Sequence, residues 1–353
     1  MPASDTFNAI LNLMPVLFIW LIGLIFAVIV FTFIFDITQS KNAVLKNYPV
    51  IGHFRYLFSN LGEFFRQYFF AMDREEMPFN RAEREWVNRA SKGKGNTIAF
   101  GSTKNLNIPG SIIFINCPFP MLDGDSIETR TVVIGEGYSK HPYAAKSIFN
   151  ISGMSYGAIS KPAVLALSSG AKKAGCWLNT GEGGLSPYHL QGGADLVFQI
   201  GTAKYGVRGK DGHLDDQKLA DIAQHDQVKM FEIKMSQGAK PGKGGILPGV
   251  KITTEISTIR GVPKGIDSIS PNRHIEIANA SELLDMINHV RDVTHKPVGF
   301  KTVIGHIRWL ETLLTEVNER GAQSAPDFIA VDGGDGGTGA APMALMDNVG
   351  LPS

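Results

Sequence analysis

Residues 298–331, VGFKTVIGHIRWLETLLTEVNERGAQSAPDFIAV, carry the pattern that decides the fold. Val298–Val303 is a short apolar run, Ile307–Asn318 has helical spacing, and Phe328–Val331 is a second apolar run. Short runs apolar on both faces are the buried strands of a parallel sheet. Ile307, Leu310, Leu314 and Val317 form one stripe, the face that a helix lays on such a sheet. The alternation continues backwards. Ile266–Ile269 precedes a helix over Ser281–Val293, striped by Leu283, Met286, Ile287 and Val290. Phe231–Met235 follows a helical Leu219–His225. Ile148–Ile151 and Cys176–Leu178 flank a helix from about Pro162 to Ala174, with Ser160 and Pro162 as its start signal. Repeated strand–helix alternation predicts an α/β architecture, a barrel or an open sheet.

Glycine separates the two. The chain has 39 glycines, concentrated after residue 150 in turns at the C-terminal ends of the predicted strands: Ser152–Gly157, Gly181–Gly184, Gly238–Gly245 and Gly333–Gly339. An open sheet binds its ligand at one switch point. A barrel gathers every such turn at one mouth. Several special turns therefore favour the (β/α)8 TIM-type barrel.

Three charges sit within or beside these turns. Glu182 lies in Asn179–Gly184, Lys240 in Gln237–Gly242, and Lys301 inside the apolar strand Val298–Val303. Composition leaves Glu182 and Lys240 open between solvated loop charges and site residues. Lys301 is more constrained, because a lysine in a buried strand needs an anionic partner or a perturbed pKa. Lys234 carries the same argument more weakly, since Glu232 could pair with it along one face. His274 and His306 read as packing or helix-start residues, and no metal-ligand spacing occurs. Gly334–Gly339 matches GxGxxG formally, but so late in the chain it reads better as bare amides approaching a cofactor than as a dinucleotide fold.

The 353 residues carry a formal charge of +1, with no basic tract, which argues against nucleic acid. Two cysteines, Cys117 and Cys176, provide neither a disulfide framework nor a zinc set and fit a reducing compartment. Thr6–Phe35 has no charge, and its apolar part Leu13–Phe35 is about 34 Å long as a helix, enough to cross a bilayer. No basic residue precedes it, while Lys41, Lys46 and Arg55 follow, so the expectation is a single-pass anchor with a cytoplasmic body rather than a signal peptide. Pro49 and Gly52 are expected to break any helix leaving the membrane. Leu61–Phe70 and Arg81–Ala90 read as amphipathic helices, and Ser111–Asn116 and Arg130–Ile134 as strands. The organisation expected is an anchor over 1–36, a small α+β accessory region over 37–146, and a barrel over 147–353.

Asn150–Ser160, Asn179–Gly184, Ile233–Gly242, Leu247–Gly249 and Asp332–Pro342 together resemble, in order, the FMN domain of glutamate synthase. With the apolar helix and Pro78–Arg81, the chain is similar to the stand-alone, membrane-tethered branch of that family. The resemblance implies a flavin barrel. It implies that Gly153, Met154 and Ser155 lie along the isoalloxazine, that Gln199 and Lys301 contact its polar edge, and that Gly333, Gly334, Gly336 and Gly337 approach it. It implies that Glu182, Gln237, Lys240 and Arg260 face the substrate, Lys240 and Arg260 binding the two carboxylates of 2-oxoglutarate. The implied reaction condenses ammonia with 2-oxoglutarate to 2-iminoglutarate, which hydride from reduced FMN converts to L-glutamate, with Glu182 and Lys240 as catalytic residues.

Four departures accompany it. Residue 2 is Pro, so the glutaminase nucleophile is absent. Cys117 and Cys176 cannot stand in for the family's iron–sulfur ligands. No NAD(P) module is recognisable, so an external electron donor is implied. At most six barrel-like strands precede Ser353, so the barrel is expected to be incomplete and to hold FMN weakly or not at all. The alternatives are a flavin oxidoreductase acting on another 2-oxo or 2-hydroxy acid, and an inactive membrane-tethered fragment.

Overall fold

The computed structural model describes residues 2–95, 97–109, 113–128, 130–236, 244–339 and 341–351, with side chains from Leu13 onward. They fall into two compact units, Met1–Pro120 and Met121–Ser353.

The first unit is helical: α1 Pro2–Thr38, α2 Ala43–Asn47, α3 Ile51–Phe65 and α4 Arg81–Ser91. Helix α1 contains one stretch, Leu13–Thr38, long and apolar enough to cross a membrane. Asn42 caps α2 through the amides of Val44 and Leu45, and Asn80 with Glu83 forms a capping box at α4. Gly52 does not end a helix, contrary to expectation. It lies in the first turn of α3, where a Cβ would sit 3.0 Å from Leu45, so the small residue allows α2 and α3 to approach. Residues 113–116 form no strand, and 111–112 lie outside the described residues.

The second unit opens with an antiparallel hairpin, β1 Val132–Ile134 and β2 Tyr143–Ala145. Its centre is a parallel sheet in the order β3 Trp177–Asn179, β4 Asp195–Ile200, β5 Val228–Lys234, β8 Val298–Thr302, β9 Ile329–Val331. Between β5 and β8 the short pair β6 Ile246–Leu247 and β7 Ser268–Ile269 runs antiparallel outside it. Helices α5 Lys161–Ala174, α6 Pro187–Gln191, α7 Asp216–Ala223, α8 Thr254–Arg260, α9 Ala280–Thr294, α10 Arg308–Arg320 and α11 Met343–Met346 fill the connections.

Two features make this part of a barrel rather than a doubly wound sheet. The strand order never reverses, so there is no switch point. All the large connecting helices cover one face. Leu178, Leu196, Phe198, Ile200, Phe231, Ile233, Val298 and Phe300 point outward into a single core with Ala171, Leu219, Leu284, Ile287 and Leu313. Ile151 adds a sixth parallel segment by bridging Leu178.

Two strand assignments change. Ile266–Ile269 is not a barrel strand. Ile266 and Ile269 are exposed, and Ser268 and Ile269 pair antiparallel with Leu247 and Ile246 in the β6–β7 ribbon. The run Asp195–Ile200, not singled out in the sequence, is the second strand of the sheet. Its inward Asp195 and Gln199 are satisfied only by distant residues, Tyr143 and Glu232.

Candidate functional site

The concave face of the sheet changes character along the strands. At its N-terminal end, Trp177, Val197, Met230 and Phe328 pack with Tyr143 and Ala145 of the hairpin, which closes that end. One layer higher the face is polar and buried. Asn179 Nδ2 and Gln199 Nε2 both donate to Glu232 Oε1, at 2.9 and 2.6 Å. At the C-terminal rim it is charged, with Lys234 and Lys301 in register on neighbouring strands. Each cation has a partner: Lys234 Nζ lies 3.2 Å from Glu182 Oε1, and Lys301 Nζ 3.6 Å from Asp332 Oδ2. The apolar-to-charged gradient makes the C-terminal rim the candidate site, the end at which barrels generally carry their chemistry.

Glu182 lies across three strand ends. It follows β3, a Cβ at Gly201 after β4 would sit 2.7 Å from its Oε2, and it reaches Lys234 at the end of β5. A Cβ at Gly245 would come within 2.9 Å of Oε1. The carboxylate therefore fits because Gly201 and Gly245 have no side chains. Glu232, offered by the sequence as Lys234's partner, is one layer lower and engaged by the two amides.

The segment Gly153–Ser155 packs directly on the Gly181 turn. A Cβ at Gly153 would sit 2.9 Å from Asn179 Oδ1 and 3.1 Å from Gln199 Nε2. Gly181 has φ +65°, and its Cβ would be 2.6 Å from Ser155 N. Gly181→Ala should therefore cost about 2–4 kcal/mol, from a left-handed backbone together with overlap on main-chain atoms. A urea midpoint that barely moves would show that the two loops separate freely.

Arg260, at the end of α8, is buried. Its Nη2 donates to Tyr156 O at 3.2 Å, its guanidinium lies 5.0 Å from the Tyr205 ring centre, and its Nε has no partner among the described residues. Burial pulls its pKa down, opposed by Tyr205 and Glu182. The same side chain lies against Gly183, next to Glu182. A buried guanidinium with so few acceptors suits a visiting anion. Gln237 and Lys240 lie outside the described residues.

The turn after β9 follows Asp332. Gly336 N donates to Gly333 O at 3.0 Å, Gly334 N donates to Leu351 O at 2.6 Å, and a Cβ at Gly336 would sit 2.9 Å from Asp332 Oδ1. Beside Gly337 a Cβ would meet nothing within 4 Å, so there is room at that point of the turn. Cys117 is exposed in the first unit and Cys176 buried in the second, and no group of three metal-ligating side chains occurs among the described residues. These two separate thiols do not fit an iron–sulfur cluster.

Two histidines hold the site: sequence reasoning missed His189 and read His274 as a packing or helix-start residue without its hydrogen bond to the rim. His189 Nδ1 lies 2.8 Å from Ser186 Oγ, and its Nε2 faces Met154 O at 3.4 Å, under the Gly153–Ser155 loop. His274 Nε2 lies 3.0 Å from Lys234 O, and its Nδ1 is buried without a partner among the described residues. Burial lowers each pKa to about 4, so both rings are neutral at pH 7 and Nε2–H donates. Ser186 three residues before His189 is the one local signal, a capping box with His in the usual Glu place. Between pH 6.5 and 4 the unfolded chain takes up a proton on each ring that the folded chain refuses. Stability should thus be fully present above pH 6.5 and fall as pH drops toward 4, by up to about 3 kcal/mol per ring. Urea midpoints across that window check this, and His274→Gln should flatten the slope.

Residues 122–353 match the conserved region in glutamate synthase. The chain is 39% identical to the glutamate synthase large subunit-like protein YerD of Bacillus subtilis, over 94% of this chain and 70% of that protein. It is 37% identical to the archaeal-type glutamate synthase (NADPH) of Thermotoga maritima, over 56% of this chain and 36% of that one. It is 34% identical to a glutamate synthase large subunit-like protein of Rhizobium meliloti, over 63% of this chain and 46% of that one. The chain thus spans most of the first relative and under half of the other two.

Proposed function

The chain belongs to the glutamate synthase family, and from that premise we propose that it is an FMN-dependent oxidoreductase that makes L-glutamate from 2-oxoglutarate and ammonia through 2-iminoglutarate. The observation that carries the reading is the rim itself: Glu182, Lys234, Lys301 and Asp332 meet at the C-terminal ends of β3, β5, β8 and β9.

The residues present fit FMN. The Gly153–Ser155 loop offers main chain without bulk, and Lys301 supplies a cation for the electron-rich edge of the ring. Gly333, Gly334, Gly336 and Gly337 would lie along the same ligand. Gln199, whose amide donates to Glu232, would contact the polar edge of the ring together with Lys301. When bound, FMN would supply the hydride. Arg260 would hold one substrate carboxylate, in a fork that its scarcity of acceptors leaves available. Lys240 would hold the other, and Gln237 would face the substrate. Glu182 Oε1 is engaged by Lys234. That directs its proton chemistry to Oε2, which would take a proton from ammonium and return one to the oxygen that leaves as water.

The same reading has α1 crossing a bilayer once, with the second unit on the cytoplasmic side and an external electron donor. Flavin titration into the detergent-solubilised chain, followed in the visible, tests the cofactor. The same sample with 2-oxoglutarate, ammonium and a chemical reductant tests the reaction. Glutamate formation at rates above the protein-free control supports the reading. Turnover of 2-oxo monocarboxylates in preference to 2-oxoglutarate would shift it to another flavin oxidoreductase.

A further inference from the structure

We propose that α3 is a second membrane-contacting element, an in-plane helix whose aromatic face lies in the lipid headgroup–acyl boundary. The inference rests on the reading of α1 as a span and adds a surface to it. Ile51, Phe54, Leu57, Phe58, Leu61, Phe64 and Phe65 fall within an arc of about 140° on a helical projection. Arg55, Tyr56, Ser59, Asn60 and Glu63 occupy the opposite half. The seven apolar side chains are 40–71% exposed, and among the described residues their rings pair with each other and with the aromatic turn that follows, Tyr68–Phe70. A contiguous exposed apolar face of this size marks an interaction site.

The choice of lipid over protein comes from the way α3 is joined to α1. Asp36, at the end of the apolar stretch, is fully buried. It accepts Val50 N at 2.9 Å and faces His53 Nε2 at 3.0 Å. Val50 is held at φ 64°, a strained conformation for a β-branched residue, and it forms the sharp corner before α3. The start of α3 is thereby tied to the level at which α1 would leave the hydrocarbon. On the polar half, Tyr56 and Asn42 bond at 2.9 Å, which orients the aromatic face away from α2. Between Ile37 and Ala71 the chain carries Lys41, Lys46, Arg55 and Arg66 against Glu63 alone. That excess complements anionic headgroups, and aromatic rings favour the interface.

The test uses the full chain in a Cys117→Ser background, reconstituted into phosphatidylcholine–phosphatidylglycerol vesicles with brominated acyl chains. Single cysteines replace Phe58, Phe65, Ser59, Glu63 and, on α1, Val28. Each is labelled with a fluorophore that bromine quenches. Labels at 58 and 65 should be quenched at least about threefold more than those at 59 and 63. Strong, equal quenching at all four positions would mean an immersed helix and overturn the proposal. Quenching at 28 with none at 58 and 65 would overturn it and leave the span intact, the face then being covered by protein. Quenching at 58 and 65 without 28 would keep the in-plane helix and remove the span.

Discussion

Glu182→Gln should lower turnover by about 10²–10⁴-fold, while 2-oxoglutarate binding stays within a few-fold of the parent. The variant preserves the shape that fits between Gly201 and Gly245 and keeps a carbonyl oxygen toward Lys234. What it loses is the ability to take and return a proton. The cost in stability should be modest, about 1–3 kcal/mol, because Lys234 keeps an acceptor although it loses a full counter-charge. The two measurements together are decisive. Turnover within tenfold of the parent would remove Glu182 from the chemistry. A lost activity that merely tracks unfolding would make the Glu182–Lys234 pair a fastening of the rim.

That pair also shows where sequence reading reaches its end. Helix α9 was legible because its stripe of Leu283, Met286, Ile287 and Val290 is buried as such a face requires, whereas α10 was legible only as a helix: Leu313 is its buried residue, and Ile307 and Leu314 of the expected stripe are exposed. Strands β5 and β8 were legible because Phe231, Ile233, Val298 and Phe300 give them a buried apolar outward face, while Glu232, Lys234 and Lys301 make the inward face polar. The glycine turns gave the rim, since each ends a strand. Pairings across strands were not legible. Lys234 is two residues from Glu232 and 52 from Glu182, and in sequence the near acid is the natural partner. Both acids face inward, but Asn179 and Gln199 hold Glu232 one layer down. The strand Asp195–Ile200 went unread for the same reason, since its polar residues are answered from elsewhere in the barrel. His189 and His274 work through main-chain oxygens of Met154 and Lys234, and such contacts leave no side-chain pattern to find.

Arg260→Leu should move affinity and stability in opposite directions. The 2-oxoglutarate Kd should rise about 100-fold, the loss of a charge-assisted fork to a carboxylate. Stability should hold or increase by about 1 kcal/mol, because among the described residues the buried guanidinium has one hydrogen bond, to Tyr156 O, a contact with the Tyr205 ring, and an Nε without an acceptor. Replacing an under-satisfied buried charge with an apolar side chain of similar reach is neutral or favourable when no partner is orphaned. Here the Tyr156 carbonyl loses one donor, and the Tyr205 ring gains an aliphatic neighbour. Arginines that serve folding behave differently. Arg291 binds Asp327 at 3.1 Å and the carbonyls of Gln323 and Ala325, so Arg291→Leu should be strongly destabilising. Isothermal titration with 2-oxoglutarate and a thermal melt, run on both variants, separate the roles. If Arg260→Leu melts like Arg291→Leu, the stranded Nε is a packing defect rather than a seat for the substrate carboxylate. If it is more stable and blind to 2-oxoglutarate, the buried cation is retained for the ligand that completes it.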